Sequence, residues 1–181
     1  KGLGNSSNKH WNRQKLGGMY VKILVVYYSF EGNSKYIAEL IKTYMNADIL
    51  ELKLVEELKS KGFLKYFWGG KQVFSNKKPK LQDIDKNLDN YDLIFIGTPV
   101  WAWSFAPALS TFFTENKITD KKIALFCCSG GGKGKTFEKM KTELQGNEIV
   151  GEIEFIDPLK KKNIDHNKKI MEWIDGITEI I

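Results

Sequence analysis

Residues 21–34 read VKILVVYYSFEGNS, and this one stretch predicts a strand, a loop and the start of a helix. The apolar run that begins at Val21 is rich in β-branched residues, as is typical of a strand buried on both faces of a parallel sheet. The run stops at Ser29. Apolar residues with helical spacing follow it: Ile37, Leu40, Ile41 and Tyr44. The stretch therefore predicts a strand–loop–helix unit of an α/β fold.

The polar loop at residues 29–34 has the properties of a phosphate-binding site. Its N–H groups and those of the first helical turn have no intrahelical acceptors, and the helix dipole adds partial positive charge. Such a loop binds phosphate without Lys or Arg. Gly32 lets the backbone approach an anion, and three side chains offer hydrogen bonds: Ser29, Asn33 and Ser34. An ordinary strand–helix turn, capped by Asn or Ser, is the alternative that this loop alone leaves open.

Length and composition indicate one folded domain. The chain has 181 residues, of which 42% are hydrophobic and 13% aromatic, enough for a sizeable core. Its apolar runs are all shorter than a membrane span. The only two cysteines, Cys127 and Cys128, are adjacent and therefore poorly placed for a structural disulfide. They favour a reduced, cytoplasmic setting, with both residues small and buried at a strand end.

The net charge of +6 is concentrated at the start of the chain. Residues 1–18 carry four basic residues and no acidic one, which leaves 24 basic and 22 acidic residues in 19–181. The first segment is polar, Gly-rich and without periodicity, so we expect a flexible or vector-derived extension at 1–18 and the folded domain at 19–181. Because no predicted helix carries a basic stripe, we expect no nucleic-acid partner. Because the apolar runs are too short to span a membrane, we expect no membrane partner either.

Four further apolar stretches predict the other strands, at residues 48–52, 91–97, 122–128 and 149–156. Helical patterns lie between them and after the last one. Five strands that alternate with helices predict a doubly wound parallel sheet with right-handed crossovers and helices on both faces. The loops after the first, third and fourth strands then meet at the carboxyl edge of the sheet.

Residues 59–80 do not fit a simple crossover, because they combine several aromatic residues with seven lysines and no acidic residue. We predict a helix at about 62–73 that packs its aromatic side on the sheet, since lysine stems can cover apolar surface. A basic, aromatic lip that meets an anionic ligand or an acidic partner is the alternative.

The loop after the third strand has the composition that a flat aromatic cofactor requires. It reads TPVWAW at residues 98–103. Thr98 can hydrogen-bond a polyol or a ring edge, Pro99 stiffens the turn, and Trp101 or Trp103 can stack on a π-face. Two core tryptophans are the alternative, but a Pro-bounded loop in which they flank Ala102 is a poor place for core residues.

The glycine-rich loop after the fourth strand reads SGGGKG at residues 129–134. It is not a Walker A loop, because Ser129 stands where that pattern requires glycine. The G-x-G-x-x-G pattern fails as well. The two histidines, His10 and His166, lie in the first segment and near the last helix, so a histidine metal cluster or a Cys–His pair is not expected.

Three of these loops stand in the order expected of the flavodoxin family, and the sequences of two of them resemble its motifs. The family's phosphate loop, Ser-x-Thr-Gly-Asn-Thr, is matched by residues 29–34 except that Glu31 replaces the first Thr and Ser34 the second. Residues 99–103 (PVWAW), followed by Ala106 and Pro107, are similar to the family's Pro-Val-Trp-Trp-Gly stretch and its Ala-Pro. The resemblance covers residues 19–181. It implies a five-stranded sheet of order 2-1-3-4-5 and FMN bound at the switch point between strands one and three.

The resemblance also implies which residues contact FMN. The phosphate would lie on Ser29, Phe30, Glu31, Gly32, Asn33 and Ser34. The ring would lie between two loops: Thr98, Pro99, Val100, Trp101, Ala102 and Trp103 on one side, and Ser129, Gly130, Gly131 and Gly132 on the other. With Glu31 in the phosphate loop, the backbone N–H must face the phosphate while the carboxylate points to solvent.

The redox chemistry would be that of the flavin, so no residue is expected to act as an acid or a base. Two functions stay open. The first is an electron carrier that docks on redox protein partners, a reductase and an acceptor. The second is an enzyme that takes hydride from NAD(P)H and reduces a quinone or a similar small molecule. We expect the carrier, because the chain is a minimal domain without a recognisable nicotinamide site.

Overall fold

The computed structural model describes residues 13–16, 18–55, 78–161 and 165–181. Its strands are β1 Arg13–Leu16, β2 Met19–Tyr27, β3 Asp48–Glu51, β4 Leu93–Trp101, β5 Ser104–Phe105, β6 Lys122–Ser129 and β7 Glu148–Ile156. Its α-helices are α1 Asn33–Met45, α2 Pro107–Glu115, α3 Thr136–Glu143 and α4 His166–Thr178. A single 3₁₀ turn, Leu88–Asn90, precedes β4. The predicted helix at about 62–73 lies outside the described residues.

Five of these strands form the expected parallel sheet. β3 pairs with β2, β2 with β4, β4 with β6 and β6 with β7, in each case parallel. Counted along the chain, the parallel strands pair in the order second, first, third, fourth, fifth. The doubly wound α/β fold is therefore confirmed, and the carboxyl ends of the strands meet at one edge of the sheet, where ligands of such folds bind.

The amino-terminal boundary of the domain requires a correction. Residues 13–16, which we expected outside the fold, form β1 and pair antiparallel with the first half of β2. β3 pairs with β2 only from Leu24 onwards, so the start of β2 would otherwise be an unpaired edge. Leu16 is buried against the core as a result of this pairing. The expectation for residues 1–12 lies outside the described residues.

The core has one cluster on each face of the sheet. α1 and α4 cover one face, where Ile23 and Val25 of β2 are buried. α2 and α3 cover the other, which receives Leu24 and Val26. Alternate side chains of β2 thus enter opposite clusters, which explains why the strand is apolar at every position from Ile23 to Tyr27. Among the described residues, no helix is long and apolar enough to cross a membrane.

Candidate functional site

A cavity of about 300 Å³ opens at the carboxyl edge of the sheet, between the loops that follow β2, β6 and β7 and the end of β4. Its volume is at the lower end of the range for small-molecule sites. Ten of the sixteen residues predicted from the sequence line it: Ser29, Phe30, Glu31, Asn33, Ser34, Pro99, Val100, Trp101, Ser129 and Gly130. Six do not: Gly32, Thr98, Ala102, Trp103, Gly131 and Gly132.

The loop after β2 presents an uncapped helix N-terminus to this cavity. Gly32 is the N-cap residue of α1, with a φ of 89°, and it has no side chain that could cap the helix. This left-handed φ is open to glycine and unfavourable for residues with a Cβ. The Ser29 hydroxyl accepts a hydrogen bond from the N–H of Lys35 at 3.2 Å, deeper in the first turn. The helix start therefore keeps N–H groups available to an anionic ligand.

Ser34 is the most informative residue of the cavity. It is only 1% exposed, and its hydroxyl has no hydrogen-bond partner among the described residues. The Cys128 thiol lies beside it, but sulfur is a weak acceptor. A buried hydroxyl without a partner is uncommon in native proteins. A ligand oxygen in the cavity would supply the missing partner.

The cavity is lined by two carboxylates, those of Glu31 and Asp157, and by one ammonium group, that of Lys160. Glu31 is exposed, as a carboxylate beside a bound anion must be. Lys160, which also lines the cavity, places its ammonium 3.9 Å from the carboxylate of Asp157. The positive end of the α1 dipole adds to the charge of Lys160. An anion at this position would therefore lie near two sources of positive potential.

The loop after β7, residues 157–161, is a part of the site that our sequence analysis missed. The N–H of Asp157 donates to the carbonyl of Ser129, and the N–H groups of Lys160 and Lys161 donate to the carbonyl of Asp157, each at 2.9 Å. The N–H of Leu159 donates to Asn33 Oδ1 at 3.2 Å. This loop thus joins the phosphate-type loop to the end of β6. An Asp-Pro step directly after the fifth strand was the available signal.

The predicted loop at residues 98–103 is instead a β-hairpin. β4 continues to Trp101, which pairs with Ser104 of β5, and Ala102 and Trp103 form the two-residue turn. Their φ angles are 46° and 59°, and a type I′ turn requires positive φ at both positions. Turns of this type usually contain Asn or Gly, and because Ala102 and Trp103 are neither, the hairpin has no sequence signal here.

The two tryptophans of this hairpin have different environments. Trp101 lines the cavity and packs edge-to-face on Tyr28 and Phe30, with ring centroids 5.8 and 5.7 Å apart. Trp103 is 68% exposed and lies outside the cavity lining. Of the two stacking candidates, the structure therefore places only Trp101 at the cavity.

Thr98 does not present its hydroxyl to the cavity, contrary to the sequence-based expectation. The residue is fully buried. Its hydroxyl donates to the carbonyl of Pro99 at 2.9 Å and accepts the N–H of Ala106 at 3.0 Å. Thr98 thus fastens the base of the hairpin to the start of α2, which explains why a polar residue stands at this buried position.

The glycine-rich loop is held in place by a buried hydroxyl. Ser129 Oγ donates to Glu154 Oε1 at 2.6 Å and accepts the N–H of Gly132 at 3.0 Å. Glu154 belongs to β7, so the fifth parallel strand positions the loop that follows the fourth. Gly130 borders the cavity, whereas Gly131 and Gly132 lie beyond it.

The thiols near the cavity are poor nucleophiles. Cys127 and Cys128 are both free and buried, and burial raises the pKa of Cys128 to about 12. Burial also raises the pKa of Cys127, with a further contribution from Glu154. Since the thiolate is the reactive form, neither thiol is suited to covalent catalysis at neutral pH. Within the described part of the chain, no group of three or more His, Cys, Asp or Glu residues could hold a metal ion.

Comparison with known protein families shows to which family the chain belongs. The family model described as flavodoxin matches residues 22–177. The chain belongs to the flavodoxin family. No curated protein matches it at a significant level.

Solved structures of flavodoxin type share the fold at low sequence identity. One, assigned as a flavoprotein of Bacteroides eggerthii, has a TM-score of 0.73 and 24% identity over 87% of this chain and 98% of its own. A flavoprotein of Lactobacillus acidophilus in complex with FMN has a TM-score of 0.63 and 24% identity over 85% and 99%. Oxidised flavodoxin 2 of Bacillus cereus has a TM-score of 0.54 and 21% identity over 88% and 99%.

Membership of the flavodoxin family fits the geometry of the cavity. The matched segment contains all four loops that meet there, and it supports FMN as the cofactor. The donors at the start of α1 and the orphaned Ser34 hydroxyl suit a phosphate, and Trp101 suits a flat aromatic ring.

Proposed function

We propose that this flavodoxin-family protein binds FMN non-covalently in the carboxyl-edge cavity and carries electrons between redox proteins. The observation that carries the proposal is the buried, unpartnered hydroxyl of Ser34 at the uncapped start of α1. It is a hydrogen-bond donor of the kind that a phosphate needs, in the loop that matches the family's phosphate loop. The Lactobacillus acidophilus relative, which was solved with FMN, supports the choice of cofactor.

The phosphate group would be held mainly by neutral donors. The N–H groups at the start of α1 and the Ser34 hydroxyl would donate hydrogen bonds to its oxygens, as in other phosphate sites at helix N-termini. Asn33 is engaged with the loop after β7 and keeps that loop against the phosphate loop. Lys160 supplies the formal positive charge that the loop itself lacks.

The ring would be oriented by aromatic side chains and by the glycine-rich loop. Trp101 lines the cavity and is held by its edge contacts with Tyr28 and Phe30, so its indole is pre-positioned beside the ring. Ser129, locked by Glu154, sets the opposite wall. Bound FMN supplies the one- and two-electron chemistry, and the chain binds it, orients it and keeps water from part of it.

The residues around the cavity suit an electron carrier. The thiol of Cys128 is protonated over the physiological pH range, because burial raises its pKa to about 12. The hydroxyl of Ser129 is already bonded to a carboxylate. An electron carrier requires no residue that moves a proton, so the lining meets its needs. The two free, buried cysteines suit the cytoplasmic setting that we propose.

Titration of the FMN-free protein with FMN tests the cofactor and its position. We expect quenching of the indole fluorescence and of the flavin fluorescence with one FMN per chain. Trp101→Ala should weaken binding by about 1–3 kcal/mol, the range for loss of a stacked aromatic. Trp103→Ala is the matched control, since Trp103 lies outside the cavity lining. The FMN affinity of this variant should stay within about twofold of the wild-type value. Equal effects of the two substitutions would contradict this placement of the ring.

Anaerobic mixing of the FMN-loaded protein with NADPH or NADH separates carrier from enzyme. We expect slow bleaching of the flavin absorbance by either nucleotide alone, and fast bleaching when a flavodoxin reductase is added. Rapid bleaching without the reductase would refute the carrier and favour an NAD(P)H-dependent reductase of quinones or similar small molecules.

A further inference from the structure

Trp103 is presented to solvent at the tip of the β4–β5 hairpin. Its exposed fraction of 68% is the highest among the large apolar residues that the structure describes as exposed. Ala102 and Trp103 both have a positive φ, which is unfavourable for residues that carry a Cβ. A strained turn that exposes a tryptophan gains nothing for the core, and such strain concentrates at functional sites.

The backbone around Trp103 is held in place by the glycine-rich loop. Its carbonyl accepts the N–H of Lys135 at 3.1 Å. Gly134, with a φ of 53°, lies so close that a Cβ there would be 2.5 Å from Trp103 Cβ and 2.9 Å from its Cα. The turn thus rests on the glycine-rich loop, and a pre-ordered aromatic side chain loses little entropy when a partner binds.

The loop under Trp103 is basic. Lys133 and Lys135 flank Gly134, and both are exposed. Residues 129–137 contain no acidic residue, and the first one along the chain is Glu138 in α3. Lys133 places its ammonium 5.2 Å from the ring centroid of Phe137. An exposed indole beside two lysines is complementary to an apolar patch that carries carboxylates.

We propose that Trp103, Lys133 and Lys135, together the Trp103 surface, form the docking site for the acidic face of a redox protein partner. Tryptophan is enriched among the residues that dominate binding energy at protein interfaces, and lysines at the rim accelerate association with a negative surface. Trp101, two residues before Trp103, lines the cavity, so a partner docked here lies next to the bound cofactor. The choice of a redox protein as partner rests on the proposed function. The Trp103 surface itself does not depend on bound FMN.

A direct binding measurement tests the proposal. The probe is an acidic plant-type [2Fe–2S] ferredoxin in its oxidised form, added to the ¹⁵N-labelled full chain with and without FMN. We expect NMR signals of the Trp103 indole and of the amides at 133–135 to shift or broaden on addition. The affinity should fall by at least about tenfold when salt rises from about 0.05 to 0.3 M, because screening weakens charge attraction.

Matched variants distinguish the contribution of the Trp103 surface from effects that any surface substitution would have on binding. Trp103→Ala and the double charge reversal of Lys133→Glu with Lys135→Glu should each weaken ferredoxin binding by at least about tenfold. Tyr20→Ala and Lys117→Glu are the controls. Tyr20 is 66% exposed and Lys117 is exposed, and both lie near the opposite, amino edge of the sheet. The controls should bind like the wild type.

Three results would overturn the proposal. One is a ferredoxin that shifts no signal of the Trp103 surface at millimolar concentration, or that shifts signals elsewhere. Another is tighter binding of a basic protein such as cytochrome c. The third is a shift of these signals with protein concentration alone, which would assign the surface to a second copy of the chain. Failure to bind FMN, in contrast, would refute the proposed function and leave the ferredoxin titration interpretable.

Discussion

Replacement of Ser34 by alanine should change stability and FMN affinity in opposite directions. In the FMN-free protein the hydroxyl is buried to 99% and has only the Cys128 thiol, a weak acceptor, beside it, so most of its desolvation penalty is uncompensated. Such a penalty is about 1–3 kcal/mol. Ser34→Ala removes it at the price of a small void and improves helix propensity, so we expect the FMN-free protein to become more stable by about 1 kcal/mol.

The same substitution should weaken the binding of FMN. A hydrogen bond to a charged group contributes about 1.5–3 kcal/mol, so loss of the Ser34 donor should raise the Kd for FMN about 10- to 100-fold. Riboflavin lacks the phosphate, so Ser34→Ala should weaken the binding of riboflavin by less than about threefold. Urea denaturation of the FMN-free protein measures the first effect, and titration of flavin fluorescence measures the second.

Thr136→Val is the control for Ser34→Ala. Thr136 is fully buried and its hydroxyl is also unpartnered, but it lies outside the cavity lining. Its replacement should stabilise the protein to a similar extent and leave FMN binding unchanged. A Ser34→Ala protein that is less stable without FMN, or that binds FMN as tightly as the wild type, would refute the role assigned to this hydroxyl.

Three further predictions concern the sheet and the loops beside the cavity. Gly97→Ala should destabilise the protein by about 3 kcal/mol or more in urea denaturation, because its Cβ would lie 1.9 Å from the Phe126 ring; a loss below 1 kcal/mol would contradict the packing. Glu154→Ala should release the Ser129 hydroxyl and speed amide hydrogen exchange in the glycine-rich loop, and unchanged exchange rates would argue against a positioning role. Cys128 should not react with a thiol reagent at pH 8 in the native state. Burial raises the pKa of Cys128 from 9.0 to about 12, so its contribution to the free energy of unfolding is complete below pH 9 and is lost between about pH 9 and 12. The free energy of unfolding of a Cys128→Ala protein should therefore fall less steeply over that pH range.

The sequence predicted the sheet well because its strands are buried on both faces. The apolar run from Ile23 to Tyr27 in β2 is easily recognised, and the predicted alternation of strands and helices leaves few topologies. β1 was missed because its residues are polar except for Leu16, and only its pairing with the free edge of β2 orders it. That pairing is a tertiary effect that local sequence does not carry.

The sequence predicted most of the loops that line the cavity. The incorrect predictions concern a turn with unusual backbone angles, a buried polar side chain and the loop after β7. Ala102 and Trp103 form a type I′ turn without the residues that normally signal one, so a hairpin was taken for a loop. Thr98 has a polar side chain that the fold uses internally. The loop with Asp157 and Lys160 reaches the cavity because β7 is next to β6, and its sequence matches no motif.

The most direct test of the whole account compares FMN with riboflavin in a Gly32→Val variant. Gly32 has a φ of 89°, and a Cβ would approach Leu159 to 3.3 Å, so valine must distort the start of α1 that we assign to the phosphate. Gly146→Val is the control, since Gly146 has a φ of 90° and lies at the far edge of the sheet. The account predicts at least about 10-fold weaker FMN binding, little change for riboflavin, and no change for either ligand in the control. Equal losses for FMN and riboflavin in Gly32→Val would show that this loop does not hold the phosphate.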